Sequence, residues 1–192
     1  MIGVLALQGG FAVHVEAIES CGFDAIEVRT PAQLAEVDAL VMPGGESTTM
    51  WKLLAFQELE APLRARLEAG MPVFGTCAGM ILLSASISDG RADQSSFGVI
   101  DLDVRRNGYG RQVGLEGVDL PVDALDEPYR AVFIRAPVIE RHGDDVEVLA
   151  AVDGIPVLVR QGPVLAASFH PELTPDTRLH RWWLTEIVGA SS

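Results

Sequence analysis

Short apolar runs alternate with amphipathic stretches through the first half of the chain. Residues 2–7 form an apolar run stopped by Gly9-Gly10, the pattern of a buried strand. Over residues 11–21, Val13, Ala17, Ile18 and Cys21 recur at helical spacing, and Gly22 ends the pattern. Residues 23–28 and 38–42 read as further strands, the latter broken by Pro43-Gly44-Gly45. Ser47 and Thr48 are suited to cap a helix carrying Trp51, Leu53 and Leu54, and residues 59–69 keep helical period up to Gly70. A strand over 72–75 and a helix over 78–83 complete this half. Such alternation predicts a mostly parallel sheet with helices on both faces.

The second half changes character. Residues 99–104, 131–134, 146–152, 155–159 and 164–169 all read as strands with little helix between them, and Gln161-Gly162 suits a hairpin turn. An amphipathic stretch, 176–188, carries Leu179, Trp182, Trp183 and Ile187. The pattern predicts one α/β domain, a three-layer sandwich with a mostly parallel central sheet and added antiparallel strands in its C-terminal half. Residues 1–188 form the expected domain and 189–192 a flexible tail.

Composition narrows the function classes. The 192 residues are 48% hydrophobic and 21% charged, ordinary for a soluble domain able to bury a full core. A net charge of −13 repels phosphate backbones and argues against nucleic-acid binding. The start of the chain lacks a basic n-region, and no apolar run approaches the roughly 20 residues needed to span a bilayer. With only two cysteines there is no disulfide scaffold, so a soluble protein of the reducing cytoplasm, without membrane contact, is expected. No cysteine–histidine spacing suits zinc, and neither a phosphate loop nor a dinucleotide fingerprint is present, so no cofactor or metal is expected.

The strongest chemical signal is Gly75-Thr76-Cys77-Ala78-Gly79 at a predicted strand-to-helix junction. It is a nucleophile elbow with Cys in place of Ser. The glycines permit a tight turn, and the helix start aims amides at Cys77, so the N–H of Ala78 can serve an oxyanion. Cys21 lacks this context and reads as core. Of the four histidines, His170 directly follows a predicted strand in His170-Pro171-Glu172. In an extended segment positions i and i+2 face one way, which places Glu172 to orient His170 as the base for Cys77. His14 and His180 fall on predicted helices and His142 in a polar turn, as surface or structural histidines. Pro43-Gly44-Gly45-Glu46-Ser47 ends a strand where α/β sheets bind ligands, and its backbone can meet a substrate carbonyl.

Together these segments resemble the class I, or triad, glutamine amidotransferases. Within them, the chain is similar to the family of glutaminase subunits that serve pyridoxal 5'-phosphate synthases. The resemblance is carried by Leu5-Ala6-Leu7-Gln8-Gly9, Gly44-Gly45-Glu46-Ser47-Thr48 and Gly75-Thr76-Cys77-Ala78-Gly79-Met80. It continues in Arg106-Asn107-Gly108-Tyr109-Gly110-Arg111-Gln112, Phe133-Ile134-Arg135-Ala136-Pro137 and Phe169-His170-Pro171-Glu172-Leu173. Residues 84–97 match least well.

The resemblance implies that Cys77 attacks the side-chain amide of L-glutamine, with His170 as base and Glu172 as its orienting partner. It implies an oxyanion hole at Gly45 and Ala78, and glutamine binding by Gly45, Glu46, Ser47, Arg106, Ile134 and Arg135. Arg106 is a cation able to pair the substrate carboxylate. The resemblance further implies a partner, the synthase subunit, in a large hetero-oligomer that receives the ammonia. Gln8 and the Gly44-Gly45 loop would lie near that contact and couple docking to the oxyanion hole. Other readings are a glutaminase serving another synthase, a related α/β cysteine hydrolase, and a non-catalytic subunit that keeps the fold.

Overall fold

Every residue of the central strands is buried, and alternate side chains enter opposite faces, so one sheet separates two hydrophobic cores. The structure is a computed structural model and describes residues 1–90, 94–106, 108 and 117–190. Ser191 and Ser192 of the expected tail lie outside the described residues, as do Asn107, Tyr109, Gly110, Arg111 and Gln112. The chain opens with β1 (Ile2–Leu5), α1 (Phe11–Ser20), β2 (Ala25–Val28), α2 (Pro31–Ala35) and β3 (Ala39–Met42). It continues with α3 (Ser47–Phe56), α4 (Glu60–Glu68), β4 (Val73–Thr76) and α5 (Ala78–Leu83).

Strands dominate the second half: β5 (Ser84–Ile87), β6 (Ile100–Arg105), β7 (Val118–Leu120), β8 (Tyr129–Ala131) and β9 (Val138–His142). Then come β10 (Glu147–Val152), β11 (Ile155–Gln161) and β12 (Val164–Ala167). A 3-10 turn (Pro171–Leu173), α6 (Arg178–Trp182) and a π-helical turn (Trp183–Ile187) close the fold.

The main sheet has seven strands in the order β10-β11-β12-β4-β3-β1-β2. From β12 to β2 all neighbours run parallel, whereas β10 and β11 add antiparallel. The expected sandwich is therefore present. Leu40 and Met42 of β3 enter one core with Leu34, Met50, Leu54 and Leu63. Ala39 and Val41 enter the other with Ile18, Leu179, Trp183 and Leu184. Two small sheets, β5-β6-β9 and β7-β8, flank this body.

Several local expectations are corrected. Strand 131–134 is instead Tyr129–Ala131, after which the chain bends and Arg135 takes a φ of 45°. The buried stripe of α1 is His14, Ile18 and Cys21, while Val13 is 39% exposed, so the core-facing side lies one position round from the apolar residues alone. His142 ends strand β9 rather than lying in a turn. Helix α2 is an addition to the predicted elements. Thr30 and Gln33 form a reciprocal capping box and Pro31 sits in the first turn.

Candidate active site

Four adjacent parallel strands, β12, β4, β3 and β1, end at the same edge of the sheet and lead into the segments that carry His170, Cys77, Gly45 and Gln8. Register explains the meeting of distant residues. Thr76 pairs with Ala167 and Gly75 with Met42, so Cys77 leaves β4 beside the exits of β12 and β3. Cys77 adopts φ 49° and ψ −104° and forms the N-cap of α5. A non-glycine residue at positive φ is strained, and the surroundings must hold it there. Its N–H donates to the Ala167 carbonyl at 2.8 Å. The neighbouring glycines permit this packing. A side chain on Gly79 would strike the carbonyl of Met42, and one on Gly75 would meet the Gly79 carbonyl carbon at 2.8 Å.

His170 stands opposite, its N–H donating to the Val132 carbonyl at 2.8 Å. The imidazole lies against Cys77, and a side chain on Gly44 would strike the ring and crowd the Cβ of Cys77 at 3.3 Å. His170 Nδ1 bonds Glu172 Oε1 at 2.8 Å. The expected pairing of these two residues is thus present, but by another local geometry. His170 is extended, while Glu172 lies in the 3-10 turn begun by Pro171. Tyr129 holds that turn, donating toward the carbonyls of Pro171 at 3.1 Å and Asp176 at 3.0 Å.

Electrostatics fit the contacts. Burial disfavours a charged His170, but bonding to Cys77 and Glu172 and their negative charge carry its pKa up to about 10. Burial would likewise raise the Glu172 carboxyl, yet the close approach of His14 and the bond from His170 hold it well below the usual carboxylate range.

The loop after β3 is built differently. Glu46, rather than Ser47 or Thr48, caps α3: its carboxylate accepts from Thr48 N at 3.2 Å and Thr49 N at 2.7 Å. Those bonds and one from the Thr49 hydroxyl outweigh burial and bring the Glu46 pKa down to about 2. The Glu46 N–H itself donates to Gln8 Oε1 at 2.7 Å. Gly9, at φ 95°, packs so closely that any side chain there would strike the Gly44 carbonyl.

A cavity of about 540 Å³ opens between these segments. Gln8, Gly45, Glu46, Ser47, Cys77, Arg106, Ile134, Arg135, His170 and Glu172 all line it. Ala78 does not line it, but it is the first residue of α5, where backbone N–H groups have no intrahelical acceptor. Arg106 is tied into the wall, donating to Gln94 Oε1 at 2.6 Å and Thr48 Oγ1 at 3.1 Å. Ile134 and Arg135 are exposed at the rim, carried there by the bend after β8. Among the described residues no group of three or more His, Cys, Asp or Glu is placed to hold a metal ion.

Sequence reasoning missed Tyr129, Gln94 and the contact of His14 with Glu172. The last had a signal: His14 precedes Ile18 by four and Cys21 by seven, the spacing of a buried helix stripe.

The chain matches the SNO glutamine amidotransferase family over residues 4–189 and belongs to that family. Its curated relatives are more specific. It is 56% identical to the pyridoxal 5'-phosphate synthase subunit PdxT of Frankia alni, over 99% of this chain and 96% of that protein. The PdxT subunit of Parafrankia is 57% identical, over 97% of this chain and 92% of its own length. A solved glutamine amidotransferase superposes with a TM-score of 0.90 at 50% identity, covering 98% of this chain and 99% of the other. PurLQS from Thermotoga maritima shares the fold at 18% identity, with a TM-score of 0.63 and coverage of 98% and 96%.

Proposed function

We propose that this chain is the glutaminase subunit of a pyridoxal 5'-phosphate synthase. It hydrolyses L-glutamine to L-glutamate and ammonia through a Cys77 thioester and passes the ammonia to a synthase subunit. The observation that carries this reading is the convergence of Cys77, His170 and Glu172 at one sheet edge, beside a cavity that fits an amino acid. His170 first takes the thiol proton, and the Cys77 thiolate then attacks the amide carbon. Negative charge grows on the amide oxygen, where the N–H groups of Gly45 and Ala78 form the oxyanion hole. His170 then protonates the departing ammonia, and Glu172 keeps the imidazole oriented through both steps. Water, activated by the same imidazole, cleaves the thioester.

Glutamine is bound by Gly45, Glu46, Ser47, Arg106, Ile134 and Arg135, all of which line the cavity. Arg106 and Arg135 offer positive charge to the substrate carboxylate and Glu46 offers negative charge to its ammonium. Residues 1–188 act as one amidotransferase domain. Ammonia released to water would be protonated and diluted, which favours direct transfer inside a large hetero-oligomer in the cytoplasm. Among the described residues no helix is long and apolar enough to cross a membrane. Gln8 couples docking to catalysis, because its side chain already holds the peptide that follows Gly45.

The test is glutamate release from glutamine, with and without a synthase subunit. Activity rises when the synthase is added, and Cys77→Ala and His170→Asn each lose about 10⁴-fold or more while remaining folded. A Cys77→Ala protein that releases glutamate at the wild-type rate overturns the mechanism. Equal activity with and without the synthase removes the coupling by Gln8.

A further inference from the structure

Behind the candidate triad lies a buried pair of histidines that the hydrolytic steps do not use. His14 of α1 and His180 of α6 are both fully buried. Their rings meet through His14 Nδ1 and His180 Nε2 at 3.0 Å. On its other side, His14 Nε2 lies 3.3 Å from Glu172 Oε2 and 3.3 Å from Thr76 Oγ1. Glu172 Oε2 is the carboxylate oxygen that His170 does not bind, and among the described residues no well-angled hydrogen bond reaches it. A buried carboxylate oxygen needs a donor, and His14 Nε2 is the one within ion-pair distance.

Counting donors places the protons. An ionised carboxylate only accepts, so the hydrogen of His14 must sit on Nε2. His14 Nδ1 is then bare and accepts from His180 Nε2–H. His180 Nδ1 is left bare as well, and it is the atom with no partner among the described residues. The opposite placement would bury an N–H of His180 without an acceptor, which is costly. Burial and the neighbouring His14 both push the pKa of His180 down, which keeps the His180 ring neutral with a single proton.

We propose that His14 is a positioning residue: its Nε2–H anchors the rear oxygen of Glu172, and His180 fixes the tautomer that makes this donor available. Thr76 Oγ1, on the residue before Cys77, is a second acceptor that shares this single N–H, so the same donor faces both the carboxylate and the strand that carries the nucleophile. The proposal rests on the Cys77–His170–Glu172 reading and extends it one layer inward.

The test is glutaminase kinetics of the full chain in the presence of the synthase. His14→Gln keeps an amide N–H near the Nε2 position, whereas His14→Asn reaches only as far as Nδ1. His14→Asn should lower kcat about 10–100-fold with KM for glutamine within about twofold of wild type, and His14→Gln should recover most of kcat. In a Glu172→Ala background, His14→Asn should cost nothing further. Wild-type kcat in His14→Asn overturns the proposal, as does equal loss in both variants that follows their melting temperatures. A full additional loss in the Glu172→Ala background does the same. Imidazole ¹⁵N shifts of the wild type decide the matter without any variant: His14 must show a protonated Nε2 and a bare Nδ1, and the reverse assignment overturns it. Activity in Cys77→Ala would instead sink the underlying triad reading, so the two failures are separable.

Discussion

The two segments expected to supply the oxyanion donors are held in opposite ways. Ala78 belongs to an elbow fixed from within. Cys77 is strained at φ 49°, its N–H is bonded into the sheet, and Gly79 packs directly on the Met42 backbone. Gly45 belongs to an exposed loop held from outside by side chains, through the Gln8 bond to Glu46 N and the Glu46 cap of α3. A backbone locked by core packing moves only if the core moves. A loop held by a few side-chain hydrogen bonds moves when those bonds are exchanged, each worth about 0.5–1.5 kcal/mol. Any control of this enzyme is therefore expected at Gly44–Glu46, with the nucleophile kept ready throughout.

The sharpest way to break the contrast is Gly79→Ala. Its added carbon collides with a main-chain carbonyl that no rotamer change can move. The expected loss is about 2–3 kcal/mol of stability or more, read from urea denaturation, together with activity. Gln8→Ala should do the reverse. Unfolding free energy changes by less than about 1 kcal/mol, while synthase-stimulated kcat falls about 10–100-fold through a misplaced Gly45. A Gln8→Ala protein with unchanged stimulation would show that the loop holds itself.

The smallest effect belongs to Glu46→Ala, which removes the cap of α3 and costs about 1 kcal/mol. Its pH dependence fixes the cause. The folded carboxyl titrates near pH 2 and the unfolded one near 4.5, so its contribution is complete above pH 4.5 and fades as pH falls toward 2. The stability gap between wild type and Glu46→Ala should close over that window in acid titrations.

Much of the parallel half was legible in the sequence because most of its strands are continuous, fully buried apolar runs with sharp ends. Glycines mark the Cys77 elbow and the Gly44-Gly45 turn, and an apolar run stopped at His170-Pro171 marks the strand before the imidazole. The small sheets do not. In β9 only Val138 and Ile139 are buried at one end, and Arg141 is held by Asp101 and Asp103 on β6, partners that local pattern cannot reveal. Strand β7 has three residues, too few to show a period. Helix α2 had a readable Thr30-Pro31-Ala32-Gln33 start, but five residues gave no apolar face to support it. At the site, Cys77, His170 and Glu172 were legible as chemistry. Tyr129 and His14 were not, because each acts through a residue remote in sequence.

The middle position of the main sheet belongs to β4, and one of its two neighbours is β12, among the last strands to be made. Domains emerge from the ribosome N-terminus first. Until β12 emerges, β4 is an unprotected edge and the thiol has no imidazole within reach. With the proposed triad, a half-synthesised chain is expected to be inert toward glutamine, sparing amide nitrogen while the polypeptide is still under construction.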